Sequence, residues 1–303
     1  MTDLPLRRLG RTDLMVAPVT LGASSLGKRA DVDPLAMAEA MLSSPFAVVD
    51  TSNNYAGGES ERALGRALAA RGGLAPGHSI VTKADVGLDG RFDRDRVWRS
   101  FEESVERLGV ERLPLLHLHD PWVISVEEAF APGGAVQGMT ELREQGLVGA
   151  IGIAVGELSL ETVYVRSGVF DAVLTHNRYT LVDRSAERLI ADATDLGMGV
   201  FNAAPFGSGI LAGTGTRYAY AEAPEELQRW IARLRELCGE WDLPVPAVAL
   251  HFSLREPRIH STVVGVGRPE RIAQLLELSA TAVPDEFWPE LDRLGTPPSP
   301  ITD

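Results

Sequence analysis

The sequence predicts an α/β protein in which eight strands alternate with helices and close into a (β/α)8 TIM barrel, with an N-terminal β-hairpin and C-terminal extra helices. Short runs rich in Val, Ile and Leu recur along the chain, and segments with helical spacing separate them. No Gly-x-Gly-x-x-Gly motif follows the first run, which disfavours the competing open, doubly wound sheet. The predicted strands are residues 18–21, 47–51, 79–83, 113–119, 150–155, 172–174, 199–203 and 261–265.

Segments with apolar residues at helical spacing lie between these runs. The predicted helices are residues 59–70, 93–108, 126–145, 159–167, 185–196, 225–241 and 246–254. Repeated strand–helix units imply a parallel sheet with right-handed crossovers. A length of 303 residues would also allow two domains of about 150 residues each. Because the repeat runs through the chain without a linker, we expect residues 1–303 to form one barrel domain.

Two further segments stand out from this repeat. Residues 6–19 contain the turn signal Gly-Arg-Thr-Asp between two short β-like pieces, which predicts a hairpin that can cap the bottom of the barrel. Residues 213–224 form the one long connection without clear structure, and loops of that size are often functional or mobile. Residues 297–303 form a proline-rich tail.

Composition excludes several classes of function. A net charge of −13 disfavours nucleic acid or an anionic membrane surface as the main partner. No apolar run approaches the roughly 18 residues of a membrane-spanning helix, and residues 1–10 lack the apolar core of a secretory signal, so we expect a cytoplasmic protein. Cys238 is the only cysteine, which excludes an intramolecular disulfide or a cysteine-based metal cluster. We predict no metal site, and a structural or surface role for Cys238 in the helix 225–241.

Polar residues gather where the predicted strands end. Asp50, Lys83 and His119 end the second, third and fourth strands, and Tyr55 lies in the loop after the second. Alone, each fits an ordinary structural role as a loop cap, a solvated charge, a buried imidazole or a loop anchor. Because catalytic groups of barrels come from the carboxyl ends of strands, their joint occurrence predicts an active site. His117 should face the same side of its strand as His119, and we assign it a structural role.

These four residue types suit proton transfer to an alcohol or carbonyl oxygen. A tyrosine hydroxyl has a pKa near 10, and a neighbouring ammonium lowers that pKa. A carboxylate beyond the lysine can orient it, so Asp50, Lys83 and Tyr55 form a chain. His119 can then hold the substrate oxygen by a second hydrogen bond and share in the proton transfer.

The motifs that carry these residues resemble the aldo-keto reductase superfamily, whose members are (β/α) barrels that use NAD(H) or NADP(H). The resemblance rests on residues 50–55 (Asp-Thr-Ser-Asn-Asn-Tyr), Thr82-Lys83 and residues 119–121 (His-Asp-Pro), and it extends to residues 9–14, 58–61 and 150–153. It implies that Tyr55 is the general acid/base, that Lys83 lowers its pKa, that Asp50 pairs with Lys83, and that His119 orients the substrate oxygen.

Within the superfamily, residues 178–183, 119–121 and 204–211 resemble the aldose 1-dehydrogenases that act on L-fucose, D-arabinose or D-galactose. The implied reaction oxidises the anomeric carbon of an aldose to a lactone. Two alternatives remain open. One is NADPH-dependent reduction of an aldehyde or ketone, with pyridoxal or a natural-product carbonyl as substrate. The other is a non-catalytic subunit that senses the nicotinamide redox state. The expected partner is thus a small sugar or carbonyl compound, and the oligomeric state is left open.

A nicotinamide cofactor without a Rossmann loop needs other pyrophosphate ligands, which the loops after the seventh and eighth strands of a barrel supply. Gly265 and Val266 stand where NADPH-specific relatives often have Lys and Ser, which favours NAD, although dual specificity stays open. His176 corresponds roughly to a family glutamine, and the Ser-Asn pair that usually holds the carboxamide is replaced around residues 154–156. The predicted cofactor-binding residues are His176, Asn177, Ala204, Pro205, Phe206, Gly207, Ser208, Gly209, Leu211, Gly265, Val266, Gly267, Arg268 and Arg271.

Substrate shape is expected to depend on residues at strand ends and in the loops that follow them. The predicted substrate-binding residues are Ser24, Leu26, Asn54, Trp122 and Tyr179.

Overall fold

A computed structural model describes residues 4–219, 221–299 and 301 of the chain. It begins with the predicted hairpin, in which β1 (Arg7–Arg8) pairs antiparallel with β2 (Met15–Val16). Gly10 turns this hairpin with φ of +51°, and a Cβ there would lie 2.3 Å from the backbone nitrogen of Gly199. Only glycine combines this left-handed conformation with so close an approach, so the hairpin rests directly on the barrel.

Eight parallel strands form a closed barrel, which confirms the predicted fold. The strands are β3 (Val19–Gly22), β4 (Val48–Asp50), β5 (Ser79–Ala84), β6 (Leu113–His119), β7 (Val148–Ala154), β8 (Ala172–His176), β9 (Gly199–Ala203) and β12 (Ser261–Gly265). Each strand pairs with the next one along the chain, and β12 pairs with both β9 and β3 to close the ring.

Apolar side chains fill the interior of the barrel below the carboxyl ends of the strands. Leu9 and Leu14 of the hairpin segment pack into the same cluster as Val48, Leu115 and Phe201 of the strands. The hairpin therefore caps the bottom, as predicted, and leaves the opposite rim open for polar side chains.

Helices surround the barrel. They are α1 (Pro34–Leu42), α2 (Glu59–Arg71), α3 (Arg94–Leu108), α4 (Val126–Phe130), α5 (Ala135–Glu144), α6 (Leu158–Arg166), α7 (Glu187–Asp195), α8 (Glu225–Glu240), α9 (Val245–Leu254), α10 (Glu270–Ala280) and α11 (Phe287–Asp292). Two 3-10 segments, Tyr55–Gly58 and Gly207–Ala212, follow β4 and β9. Among the described residues, no helix is long and apolar enough to cross a membrane.

The helices differ from the prediction in two places. The single helix predicted over residues 126–145 is wrong, because the chain leaves α4 at Ala131 in an extended conformation and turns through Gly133 with φ of +82° before α5 begins. Helix α1 was not predicted, since its apolar residues show no clear one-sided pattern. Its start is nevertheless encoded locally, because the Asp33 side chain accepts a hydrogen bond from the Leu35 amide and Pro34 occupies the first turn.

The connection predicted to lack structure, residues 213–224, contains a second hairpin of β10 (Arg217–Tyr218) and β11 (Ala221–Glu222). Residue 220 lies outside the described residues, as do residues 300, 302 and 303 of the predicted tail. Tyr218 is fully buried, and its hydroxyl donates to the carbonyl oxygen of Asn177 at 2.7 Å. This buried anchor is the physical reason why the segment is ordered and covers the loop after β8.

Cys238 lies on the inward face of α8 and is 1% exposed. Burial raises the pKa of its thiol to about 11. A thiol held neutral in an apolar setting is consistent with the structural role expected for it.

Candidate active site

Three strand ends and one loop bring the predicted catalytic residues together at the open rim of the barrel. Lys83 of β5 donates from Nζ to Asp50 Oδ2 of β4 at 2.7 Å and to the Thr51 carbonyl oxygen at 2.7 Å. The third contact of Nζ is with the Tyr55 hydroxyl oxygen at 3.2 Å. His119, at the end of β6, presents its ring edge-on to that of Tyr55 with 5.9 Å between centroids. The four residues thus share one pocket.

Burial controls the electrostatics of this chain of residues. Lys83 is 1% exposed. Its burial lowers the pKa of the ammonium, but the charges and hydrogen bonds of Asp50 and Tyr55 together outweigh that effect and hold the pKa above its ordinary value. Burial raises the pKa of Tyr55 above its ordinary 10.0, while the charge of Lys83 acts in the opposite direction. The lysine therefore has the expected lowering influence, although burial and the charge of Asp50 leave the net shift upward.

His119 is held by a carboxylate that sequence reasoning missed. Its Nδ1 lies 2.7 Å from Oδ1 of Asp85, and the Ser52 hydroxyl lies 3.3 Å from the same nitrogen. The other oxygen of Asp85 accepts hydrogen bonds from the Ser52 hydroxyl and from the Asn54 amide. Burial raises the pKa of Asp85, but the hydrogen bond and charge of His119, together with the hydrogen bonds from Ser52 and Asn54, outweigh burial and lower the pKa overall. A signal was present in the sequence, because Asp85 follows Lys83 by two residues and so faces the same side.

A buried network supports the loop that carries Tyr55. Asn53 donates to the Ser100 carbonyl oxygen at 3.1 Å, and its own carbonyl oxygen accepts from Arg107 at 2.7 Å. Arg107 also pairs with Glu61 at 3.2 Å, and Glu61 accepts from Thr82 beside Lys83 at 2.6 Å. The network ties the loop to α2, α3 and β5, which fixes the position of the tyrosine relative to the lysine.

Asp120 adjoins the other side of the His119 ring. One of its oxygens, Oδ1, accepts from the Gly156 amide at 3.3 Å, and Oδ2 lies 3.7 Å from His119 Nε2. The backbone of Asp120 has a φ of +44°, which L-residues rarely adopt. Burial raises the pKa of its carboxyl group. The imidazole therefore lies between two carboxylates in different surroundings.

A cavity of about 550 Å³ opens beside this site. Trp122, Gly156, His176, Asn177 and Arg178 contribute to its lining. Burial lowers the pKa of His176 to about 4, so its imidazole is neutral at physiological pH. The predicted residues His176 and Asn177 are thus placed at a polar cavity next to the catalytic group.

The other predicted cofactor residues lie around a separate groove of about 540 Å³ between the ends of β9 and β12. Its lining includes Ala204, Pro205, Phe206, Gly207, Ser208, Gly209, Gly265, Val266, Gly267 and Arg271. Leu211 is fully buried behind it, and Arg268 lies outside the lining, where it pairs with Asp31.

The groove has features that suit a dinucleotide. Gly207 and Gly209 adopt φ of +51° and +96°. Because these two residues have no side chain, their backbone can approach a bound phosphate closely. Gly265 leaves open space, since a Cβ there would meet only the Ser24 hydroxyl at 3.9 Å. Arg271 supplies a cation at the start of α10. These residues fit a nicotinamide dinucleotide.

The predicted substrate residues are divided between the open rim and the core. Asn54, Ser24 and the 58% exposed Trp122 lie in loops at the open rim. Leu26 is buried in the main core. Tyr179 is also buried. Its ring stacks on Phe252, and its hydroxyl donates a hydrogen bond to Glu256 at 3.2 Å. The structure therefore does not bring Leu26 or Tyr179 into either cavity.

His117 lies deeper in the barrel than His119. It is fully buried and packs edge-on against Phe201 with 5.9 Å between ring centroids. A Cβ on Gly152 would lie 2.3 Å from its ring, so the glycine makes room for it. Burial lowers the pKa of His117 well below its ordinary value. The neutral imidazole fills the floor beneath the site.

Comparison with known proteins agrees with this geometry, since the Aldo/keto reductase family matches residues 18–296. The chain belongs to the aldo/keto reductase family. This aldo-keto reductase is 31% identical to pyridoxal 4-dehydrogenase of Microbacterium luteolum, over 95% of its own chain and 97% of the relative. It is 28% identical to D-threo-aldose 1-dehydrogenase of a Pseudomonas species, over 95% and 96%.

Among solved structures, an aldo-keto reductase from Bacillus halodurans in its holo form superposes with a TM-score of 0.78, at 19% identity and with 96% of each chain covered. The fold of the present aldo-keto reductase is thus that of its family. Membership makes the protein a nicotinamide-dependent oxidoreductase that acts on small molecules.

Proposed function

We propose that this aldo-keto reductase oxidises the anomeric carbon of an aldose, of the L-fucose, D-arabinose or D-galactose type, to a lactone. The observation that carries the proposal is the buried contact of Lys83 with Asp50 and Tyr55 beside His119. Such a set can take a proton from a hydroxyl and hold the oxygen during hydride loss. Its similarity to D-threo-aldose 1-dehydrogenase supports a sugar as substrate. We further propose that residues 1–303 act as one domain.

In this proposal each residue has one task. Tyr55, as phenolate, accepts the proton of the substrate hydroxyl at its Oη atom. The ammonium of Lys83, fixed by Asp50 and the Thr51 carbonyl oxygen, stabilises the negative charge on that oxygen. His119 holds the same substrate oxygen from the opposite side.

We propose that the groove residues, with Arg271 at its edge, hold NAD or NADP, and that His176 and Asn177 make polar contacts with the nicotinamide end. When bound, the nicotinamide supplies the hydride acceptor. Gly265 and Val266 lack the cationic and hydroxyl groups that would hold a 2′-phosphate, which supports a preference for NAD. Arg268 remains a second candidate phosphate ligand once freed from Asp31.

Pyridoxal is a second candidate substrate, because pyridoxal 4-dehydrogenase is 31% identical to this chain. Its aldehyde and neighbouring hydroxymethyl group can close to a cyclic hemiacetal, which offers the same hydroxyl-bearing carbon as an aldose ring. Trp122 in the adjacent cavity offers an aromatic face to such a ring.

A substrate panel tests the proposal. The purified protein is incubated with NAD or NADP and with L-fucose, D-arabinose, D-galactose or pyridoxal, and the absorbance of reduced nicotinamide is followed. Oxidation of one or more of the sugars with lactone as product is the expected result. Turnover of pyridoxal alone would support the second candidate. Failure to oxidise any of these compounds, together with turnover of aldehydes in a parallel assay with NADPH, would disprove oxidation as the function.

A further inference from the structure

The two carboxylates on either side of His119 differ in how far their hydrogen-bonding capacity is used. Asp85 is fully engaged, since Oδ1 contacts the imidazole and Oδ2 accepts from Ser52 and Asn54. Asp120 is not. Its Oδ1 accepts from the Gly156 amide, whereas Oδ2 makes no hydrogen bond with the described residues. A partly buried carboxylate oxygen without a protein partner can accept a hydrogen bond from a ligand.

The backbone holds Asp120 in a conformation that costs free energy. Its φ of +44° lies in the left-handed region, and its amide and carbonyl are fixed by bonds to Ala154 at 2.9 Å and Trp122 at 2.7 Å. Strain of this kind persists where the surroundings enforce it, and it concentrates at functional sites. Here the surroundings keep the carboxylate beside the imidazole edge opposite Asp85.

Oδ2 of Asp120 lies close enough to the reacting centre for one substrate molecule to contact both. Oδ2 lies 3.7 Å from Nε2 of His119, the nitrogen left over for substrate once Nδ1 is bound to Asp85. The side chain of Asp120 is 28% exposed, so a ligand at the rim can reach it. Two oxygens on adjacent carbons of one molecule can therefore contact His119 and Asp120 together.

We propose that Asp120 is a specificity-determining residue whose Oδ2 accepts a hydrogen bond from the substrate hydroxyl on the carbon next to the reacting carbon. The site then selects α-hydroxylated substrates, such as an aldose with a free 2-hydroxyl, over compounds that lack this group. Bonds from hydroxyl to carboxylate are strong because the acceptor is charged. The inference rests on the proposed function insofar as it places the reacting carbon at Tyr55 and His119.

Matched substrate pairs test this selectivity. Initial rates are measured with D-galactose and 2-deoxy-D-galactose in the presence of NAD, and with lactaldehyde and propanal in the presence of NADH or NADPH. The proteins are the wild type, Asp120→Gly, Asp120→Asn and the control Glu157→Gln. Glycine removes the carboxylate and tolerates the left-handed backbone, and asparagine keeps that backbone if glycine fails to fold. Glu157 is an exposed carboxylate on the lining of the adjacent cavity, so the loss of its charge reports a general electrostatic effect on substrate binding.

The wild type should prefer the hydroxylated member of a pair by about 10- to 100-fold in kcat/KM, the range for a hydrogen bond to a charged group. Asp120→Gly should abolish most of that preference and Asp120→Asn part of it, while Glu157→Gln should keep the wild-type ratio. An equal loss for both members of each pair, or an unchanged ratio, overturns the inference. If no aldose is oxidised but the preference for lactaldehyde depends on Asp120, the inference stands and the proposed function fails.

Discussion

The carboxylate of Asp85 accepts a hydrogen bond from Nδ1 of His119 over 2.7 Å. Since Asp85 is ionised and buried, this bond fixes both the ring orientation and the proton on Nδ1. The backbone of Asp85 is also fixed in position. Its amide donates to the Ser100 hydroxyl at 3.2 Å, and its carbonyl oxygen accepts from Arg96 at 2.9 Å. Nε2 is therefore the nitrogen that is presented to the substrate.

Replacing Asp85 should impair catalysis through His119. We expect Asp85→Asn to lower kcat on the order of 10²-fold, within the range for a positioned acid or base, because an amide can donate to Nδ1 and so favour the wrong tautomer. Cofactor affinity, measured by quenching of protein fluorescence, should stay unchanged. The exposed Asp89 in the same loop provides the control Asp89→Asn.

A double-mutant cycle separates this role from a general loss of structure. If Asp85 acts through the imidazole, Asp85→Asn should add little to the loss already caused by His119→Ala. Fully additive losses in the double variant would mean that Asp85 supports the enzyme independently of His119.

The raised pKa of Tyr55 predicts how oxidation depends on pH. Oxidation needs the unprotonated phenolate as proton acceptor, and burial places its pKa above the ordinary 10.0. The active fraction is then small at neutral pH and grows about tenfold for each pH unit, so kcat/KM for alcohol oxidation should rise between about pH 7 and pH 9.5. Initial rates across this range measure the slope. A flat profile would contradict a tyrosine base.

Removing the phenol should remove most of the reaction. Tyr55→Phe keeps the ring beside Lys83 but lacks the oxygen that exchanges the proton. We expect a loss of about 10²-fold or more in kcat together with loss of the alkaline rise. Full activity of the variant with any substrate would show that another group transfers the proton.

Cofactor preference should respond to a charge placed at Gly265. The position is exposed, and a Cβ there meets only the Ser24 hydroxyl at 3.9 Å, so a longer side chain has room in the groove. Gly265→Lys should lower the KM for NADP by about 10-fold or more, the effect of a hydrogen bond to a charged group, and change the KM for NAD little. Gly265→Met, with a similar stem and no charge, is the control. An equal change for both cofactors in the lysine variant would place the 2′-phosphate elsewhere.

Much of the fold and of the site was accessible from local sequence patterns. Strands of a barrel are buried on both faces, so runs such as those before Asp50 and Lys83 are apolar and easy to recognise. Their polar ends meet because all parallel strands finish at one rim, which brings His119 into the same pocket. Helix α1 has no sequence signal of this kind, because its apolar residues surround the helix axis. The break between α4 and α5 depends on Gly133, which adopts a left-handed backbone conformation.

The parts of the site that sequence missed depend on distance in space rather than on residue type. In the sequence, Asp85 and Asp120 are ordinary acidic residues that follow a strand. Only the folded barrel shows that both oxygens of Asp85 are hydrogen-bonded, whereas Oδ2 of Asp120 makes no hydrogen bond with the described residues. The position of the Tyr179 ring depends on packing in the same way. Tyr179 follows β8 as a rim residue would, but its ring turns outward onto Phe252 because α9 offers an aromatic surface there.

The buried His117 makes stability depend on pH. Burial holds the pKa of its folded form well below the 6.5 of the unfolded chain, so below pH 6.5 the unfolded state binds a proton that the folded state rejects. The contribution of the neutral His117 to the free energy of unfolding is complete above pH 6.5. It decreases as the pH falls below 6.5, by at most about 1.4 kcal/mol for each pH unit. His176, with a pKa of about 4, contributes in the same direction.

Replacing His117 by an apolar residue of similar size should therefore flatten the acid side of the stability profile. Urea unfolding of the wild type and of His117→Leu at pH 7, 6 and 5 gives the free energy of unfolding for each protein. The wild type should lose about 1–2 kcal/mol more than the variant between pH 7 and pH 5, because only the wild type has this imidazole to protonate on unfolding. The contribution of His176 is common to both proteins and cancels. Parallel profiles would mean that His117 takes up its proton without unfolding.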